Sequence, residues 1–264
     1  LDLRIGGQTV VVTGGANGLG RAIAEAFAAE GAVPVLVDRD PNVVAAAAEI
    51  GAGAWGVQVD VTDAPGVEAL AEQIGRRGRV DHVVHAAGVG SGAFGFPFWN
   101  VDAAAWDRVL RVNLTGAVNV ARAFAPAMAE AGSGTLLFIA SVAGQIGSQT
   151  DPPYSASKAG LINFAQCAAK DLAPSGVRVN ALCPGMVKTD LNRAVYESWA
   201  SLRPEAERLD YDAWADEKIR KLVPLGRWQE PEDVAAMAVF LASPRAKNVT
   251  GQTINVDGGY VMHW

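Results

Sequence analysis

Residues 9–31 constrain the fold of this chain more than any other stretch. Thr9-Val10-Val11-Val12-Thr13 is an apolar, β-branched run too short for a helix, and it reads as a buried strand. Gly14-Gly15-Ala16-Asn17-Gly18-Leu19-Gly20 follows at once, and residues 21–30 then carry helical apolar spacing ended by Gly31. A glycine-rich turn between strand and helix leaves bare backbone N–H groups and a helix N-terminus where an anionic pyrophosphate can dock. Glycine suits this turn because a Cβ blocks that close approach and because the chain must take positive φ. The spacing here is Gly-x-x-x-Gly-x-Gly, not the Gly-x-Gly-x-x-Gly of the standard dinucleotide fingerprint. By itself it also describes a tight β–α turn without a ligand.

Asp38 narrows the field. Ala32-Val33-Pro34-Val35-Leu36-Val37 reads as the second strand, and Asp38 ends it, 18 residues beyond Gly20. A carboxylate at that distance is placed to accept hydrogen bonds from the adenosine ribose hydroxyls and to repel a 2′-phosphate. The expectation is NAD over NADP, although Arg39 follows directly and could attract a phosphate.

The remaining chain keeps the same rhythm. Strands are predicted at 9–13, 33–38, 55–59, 81–86, 134–140, 177–182 and 252–256, with helices at 18–30, 41–49, 64–76, 102–130, 152–173 and 231–243. Alternation of this kind predicts one α/β domain over residues 1–264: a Rossmann fold, its doubly wound parallel sheet of about seven strands covered by helices on both faces. A sheet covered on both faces needs continuously apolar strands, and Thr135-Leu136-Leu137-Phe138-Ile139 is one. Residues 186–228 break the rhythm, being long, charged and rich in aromatics: Tyr196, Trp199, Tyr211, Trp214 and Trp228. Phe94, Phe96, Phe98 and Trp99 form a second aromatic group after the fourth strand. Together they suggest an apolar or ring-bearing substrate rather than a small polyol, though each aromatic has the simpler reading of a helix packing its own side chains.

Chemistry enters at Pro153-Tyr154-Ser155-Ala156-Ser157-Lys158. Residues at i and i+4 share a helix face, so Tyr154 and Lys158 stand one turn apart. A free phenol has a pKa of about 10, and a neighbouring ammonium pulls it down by favouring the phenolate. A phenol so tuned works as a general acid or base near neutrality. Alone, the same spacing is often an accident of an amphipathic helix.

With the glycine turn, Asp38 and the Tyr154–Lys158 pair in hand, the chain resembles the classical short-chain dehydrogenase/reductase family over essentially its whole length. The resemblance makes Thr13-Gly14-x-x-x-Gly18-x-Gly20 the cofactor motif, with Asn17 and Leu19 also among its cofactor-binding positions. It makes Asn113, Ser141, Tyr154 and Lys158 the catalytic set. Asp60-Val61 match the pair that holds the adenine ring; Pro184-Gly185, with Val187 and Thr189, match the loop at the nicotinamide end. The family usually carries Asn-Asn-Ala-Gly after its fourth strand, and this chain has His85-Ala86-Ala87-Gly88. Another group or a water must therefore replace the asparagine brace, while the backbone contacts of Ala86 and Gly88 to the adenosine ribose should survive. His85 reads as a buried structural residue at a strand end rather than a catalytic one.

The implied reaction is reversible hydride transfer between a dinucleotide and a secondary alcohol or ketone. Tyr154 handles the hydroxyl proton, Ser141 orients the substrate oxygen, Lys158 also holds the nicotinamide ribose, and Asn113 keeps a water that relays the proton. The family further implies a lid at 186–228 and a homotetramer; the tail Tyr260-Val261-Met262-His263-Trp264 is unusually aromatic for a free terminus, and the expectation is that it packs on a neighbouring subunit or reaches its active site.

Composition agrees. A net charge of −6 gives no basic footprint for nucleic acid or an anionic membrane. No apolar stretch approaches a membrane span, and no basic-then-apolar leader opens the sequence. Two cysteines make no disulfide framework, and no Cys/His cluster has metal-ligand spacing. A reduced cytoplasm and a small-molecule substrate are expected. Three alternatives stay open: a biosynthetic ketone reductase such as a 3-oxoacyl reductase, a non-catalytic dinucleotide sensor, and a sugar-nucleotide epimerase or dehydratase. The last would need a larger C-terminal substrate domain.

Overall fold

The computed structural model describes residues 2–93, 97–147 and 151–262. Among them seven strands form one parallel sheet: β1 (Thr9–Thr13), β2 (Val33–Asp38), β3 (Trp55–Gln58), β4 (His82–His85), β5 (Gly134–Ile139), β6 (Val177–Pro184) and β7 (Thr253–Val256). Their spatial order is β3-β2-β1-β4-β5-β6-β7. The order reverses between β1 and β4, which pair in register Val10↔His82 through Thr13↔His85. At such a switch point the two connections leave to opposite sides and open a crevice beyond the carboxyl ends of the strands.

Side-chain alternation along the strands divides the core in two. Val10, Val12, Leu36, Val84, Leu137 and Ile139 join the apolar faces of α1 (Gly18–Ala29), α2 (Val43–Ile50) and α9 (Pro231–Ala242). Val11, Val35, Val37, Val83, Leu136 and Phe138 face α3 (Ala64–Gly75), α5 (Gly116–Glu130) and α6 (Pro152–Leu172). This is why β1 reads as an unbroken apolar run: both of its faces are covered.

The predicted strands agree with the observed ones to within two residues at each end. One predicted helix does not hold. Residues 102–130 are not one α-helix: α4 (Ala103–Leu110) passes into a π-turn at Arg111–Thr115 before α5 begins. The wide turn accompanies the burial of the Asn113 side chain, whose Oδ1 accepts from Val89 N (2.8 Å) while Nδ2 donates to Val89 O (3.0 Å) and Ser157 Oγ (2.9 Å). Apolar periodicity cannot register one extra residue in a turn, and π-turns cluster where a side chain has a positional task. Gly116 then lets α5 close on the sheet, since a Cβ there would lie 2.7 Å from Val61 Cγ2.

The segment after β6 forms α7 (Asp190–Ser201) and α8 (Tyr211–Leu222). No described helix is long and apolar enough to cross a membrane.

Candidate active site

The glycine turn is as tight as its composition suggests. Gly14 and Gly18 have φ of +69° and +54°. A Cβ on Gly14 would come within 2.8 Å of Ala87 N, and one on Gly20 would sit 2.0 Å from the Gly14 carbonyl oxygen. These contacts bring β1, α1 and the β4 loop together around one cavity of about 360 Å³. Gly14, Asn17, Gly18, Leu19 and Gly20 line it, with Asp38, Asp60, Val61, Ala86, Gly88 and Thr189. Asp38 is fixed there: Oδ2 accepts from Ala16 N (3.1 Å) and Oδ1 from Asp40 N (3.0 Å). Asp60 Oδ1 is held in turn by the backbone N–H and hydroxyl of Thr62, both at 2.8 Å.

A second cavity, about 190 Å³, shares Leu19, Ala86, Gly88, Thr189 and Leu191 with the first and continues toward β5 and β6. Ser141, Tyr154, Lys158, Pro184, Gly185 and Val187 line it. The structure thus gathers every predicted site residue along one crevice, except that Asn113 sits beneath its floor: a Cβ on Gly88 would lie 3.5 Å from Asn113 Oδ1 and 3.3 Å from Lys158 Nζ.

Local sequence explains how Tyr154 is aimed. Asp151 caps α6 by accepting from Tyr154 N (3.2 Å), and Pro152-Pro153 occupy first-turn positions where no N–H is needed. The other Asp151 oxygen accepts from Ser91 N (2.7 Å), tying the β4 loop to the same helix start. The loop after β5 packs so closely on α6 that a Cβ on Gly144 would sit 2.7 Å from the Lys158 carbonyl carbon. Ser155 Oγ donates to Ala143 O in that loop. Ser141 is thereby brought into the same cavity as Tyr154, near enough to favour the phenolate.

The electrostatics depart from the sequence expectation. Burial pushes the Tyr154 phenol up to about 12; the neighbouring Ser141 hydroxyl lowers it, while Asp151 and Cys183 raise it further. Burial also brings the Lys158 ammonium down to about 8. Lys158 Nζ donates to Ile139 O (2.7 Å) and lies 5.5 Å from the Tyr154 ring centroid. Desolvation therefore dominates, and the expected lowering of the phenol pKa is not met.

His85 is fully buried and has no chemical surface. Its Nδ1 is 3.0 Å from Thr13 Oγ1, which also accepts from Ala87 N (3.3 Å), so Thr13 supplies the brace that the missing asparagine leaves open. Burial drives the His85 imidazole down to about 3, with Lys158 adding to the effect.

The five aromatics of residues 186–228 pack on one another. Tyr196 lies 5.5 Å from both Tyr211 and Trp214, and Tyr211 lies 6.0 Å from Trp228, centroid to centroid. None of the five lines either cavity; the catalytic arm is walled by aliphatic Leu19, Ile139, Val187, Leu191 and Val195. Phe98 and Trp99 are exposed and pair edge-to-face, and Phe94 and Phe96 lie outside the described residues. At the C-terminus, Tyr260 and Val261 pack on their own chain's core; His263 and Trp264 lie outside the described residues.

Sequence reading missed Asp151 and Asn192. Asp-Pro-Pro before Tyr154 is a helix-start signal that could have found the first. Asn192, on the first turn of α7, reaches the catalytic arm through tertiary packing and carries no motif.

Among known proteins, the profile of the family described as enoyl-(acyl carrier protein) reductase matches residues 14–261. The chain belongs to the classical short-chain dehydrogenase/reductase family. It is 35% identical to D-threitol dehydrogenase of Mycolicibacterium smegmatis, over 99% of this chain and 95% of that protein. It is 37% identical to the L-tagatose-forming galactitol 2-dehydrogenase of Cereibacter sphaeroides, over 98% and 97%. Among solved structures, L-sorbose reductase from Gluconobacter frateurii, complexed with NADPH and L-sorbose, superposes with a TM-score of 0.90 at 30% identity, covering 100% of both chains. This short-chain dehydrogenase/reductase is accordingly an oxidoreductase that uses a nicotinamide dinucleotide to interconvert a secondary alcohol and a ketone.

Proposed function

We propose that this enzyme oxidises secondary alcohols of the polyol type with NAD, with Tyr154 as the acid/base. The observation that carries the reading is the single crevice in which Asp38 and the glycine turn stand at one end and Ser141, Tyr154 and Lys158 at the other.

The cradle fits a dinucleotide. Gly14, Gly18 and Gly20 leave the space that an anionic pyrophosphate needs at the start of α1. Asp38 would take the adenosine ribose, Asp60 and Val61 the adenine, the Ala86 and Gly88 backbone the same ribose, and Lys158 the nicotinamide ribose. Pro184, Gly185, Val187 and Thr189 would hold the nicotinamide end. A bound dinucleotide would take up the hydride in oxidation and supply it in reduction. Tyr154 then removes the hydroxyl proton in oxidation, or returns it in reduction, while Ser141 donates to the substrate oxygen. Asn113 acts through position, holding Val89 and Ser157 and with them the floor beneath Lys158.

NAD is favoured by the carboxylates of Asp38, Asp40 and Asp60 around the adenosine end, against the one cation Arg39 among the described lining residues. Replacing Asp38 with alanine is expected to lower kcat/KM for NAD at least tenfold and narrow the gap to NADP. Wild-type preference for NADP would defeat the assignment.

The named activities of the relatives support the polyol class. A second reading, an apolar or ring-bearing alcohol, is favoured by the aliphatic walls of the catalytic arm. A panel of polyols, cyclic and aromatic alcohols with NAD, followed by the absorbance of reduced nicotinamide, separates the two. The same reading makes residues 1–264 one catalytic domain with α7 and α8 as its substrate lid. It also makes the enzyme a cytoplasmic homotetramer; light scattering with a monomer mass would contradict the last point.

A further inference from the structure

Tyr211 and Asn192 link the aromatic cluster to the catalytic arm. The Tyr211 hydroxyl donates to Asn192 Oδ1 at 3.0 Å. Asn192 lines the cavity that holds Ser141 and Tyr154, and the other α7 side chains there, Leu191 and Val195, are aliphatic. With Oδ1 engaged by the phenol, the amide's two N–H donors at Nδ2 have no protein partner among the described residues. The Tyr211 ring is fixed by Trp214 (6.1 Å, stacked), Tyr196 (5.5 Å), Trp228 (6.0 Å) and the Arg193 guanidinium (4.4 Å). A rigid support of this kind holds a polar group in one orientation, which is what recognition of a small ligand requires.

We propose that Asn192 is a specificity-determining residue: its amide, held by Tyr211, donates to a hydroxyl next to the reacting carbon and so selects polyols over simple alcohols. The inference rests on the reading of the Ser141–Tyr154 arm as the reaction site. An alcohol without that second hydroxyl leaves the donors unpaired in a mainly aliphatic pocket, and sites built to hydrogen-bond a substrate group discriminate against analogues that lack it. On this account the lid aromatics act on substrate choice from outside the pocket, by positioning one amide.

The test compares kcat/KM for D-threitol and for 2-butanol in the wild type, Asn192→Leu, Asn192→Asp and Tyr211→Phe, with NAD affinity measured for each. Asn192→Leu, nearly equal in size, should lower the value for threitol about tenfold, the worth of one or two neutral hydrogen bonds, and change that for 2-butanol less than twofold. Asn192→Asp keeps the shape without the donors and should not restore threitol. Tyr211→Phe should reduce the threitol to butanol ratio about threefold, with its ring packing and NAD affinity retained. An unchanged ratio in both Asn192→Leu and Tyr211→Phe, or a wild type that prefers 2-butanol, overturns the proposal; activity that still depends on Tyr154 leaves the reaction site standing. A wild type that turns over neither alcohol overturns both.

Discussion

Two side chains pull the Tyr154 phenol in opposite directions. Burial dominates and the phenol stands at about 12; the neighbouring Ser141 hydroxyl lowers it and the Asp151 charge raises it. Alcohol oxidation needs the phenolate, so the rate should rise with pH through this ionisation. Removing the hydroxyl in Ser141→Ala should move the rising limb of kcat to higher pH, besides lowering kcat through loss of substrate orientation. Removing the carboxylate charge in Asp151→Asn should move it to lower pH, with some loss of stability at the α6 cap. Steady-state pH profiles of the two variants beside the wild type check both signs. Shifts in the same direction would mean that another group governs the limb.

Among the elements, the turn between β1 and α1 tolerates least change. A Cβ at position 20 would meet the Gly14 carbonyl oxygen at 2.0 Å, and backbone cannot yield as a side chain tip can. Gly20→Ala should cost about 3 kcal/mol of stability, at the upper end for overpacked sites, and abolish measurable dinucleotide binding. Gly75→Ala, with nothing within 4 Å of the new methyl, should leave both unchanged or slightly improved. Chemical denaturation and NAD titration measure the pair. The turn was legible in the sequence because three glycines, a β-branched strand and an apolar helix agree on one local structure. The Tyr154–Lys158 pair was legible because both lie on one helix face, and Asp38 because it ends a strand at a set distance beyond the glycine turn. The π-turn at Arg111–Thr115 was hidden because 3.6-residue periodicity survives a single inserted residue. Asn192 was hidden because its place depends on how α7 and α8 pack, and the aromatics that looked like pocket walls are the glue of that packing.

The whole molecule carries an acid liability inside its sheet. His82 and His85 are buried on β4, and desolvation brings their imidazoles down to about 4 and about 3. Between these values and the ordinary value near 6.5, the unfolded chain binds more protons than the folded one. Stability is therefore full above about pH 6.5 and falls as pH drops, by about 1.4 kcal/mol per pH unit for each histidine. His85→Asn, which restores the residue type usual in the family, removes one of these two buried imidazoles. The variant should lose less stability than wild type between pH 6.5 and pH 4, the interval these two shifts define. Urea unfolding across that interval reads the difference in slope; parallel curves would show that His85 is protonated in both states or in neither.

Tyr154 is the group that moves the substrate proton, in a site where Ser141 orients the substrate oxygen and Lys158 would hold the nicotinamide ribose. The most direct test of that role is Tyr154→Phe, assayed for formation of reduced nicotinamide from a saturating polyol while NAD binding is titrated separately. Turnover is expected to fall at least a thousandfold, with NAD affinity within a few-fold of wild type. Turnover within tenfold of wild type in that variant, with the cofactor bound, would contradict the role.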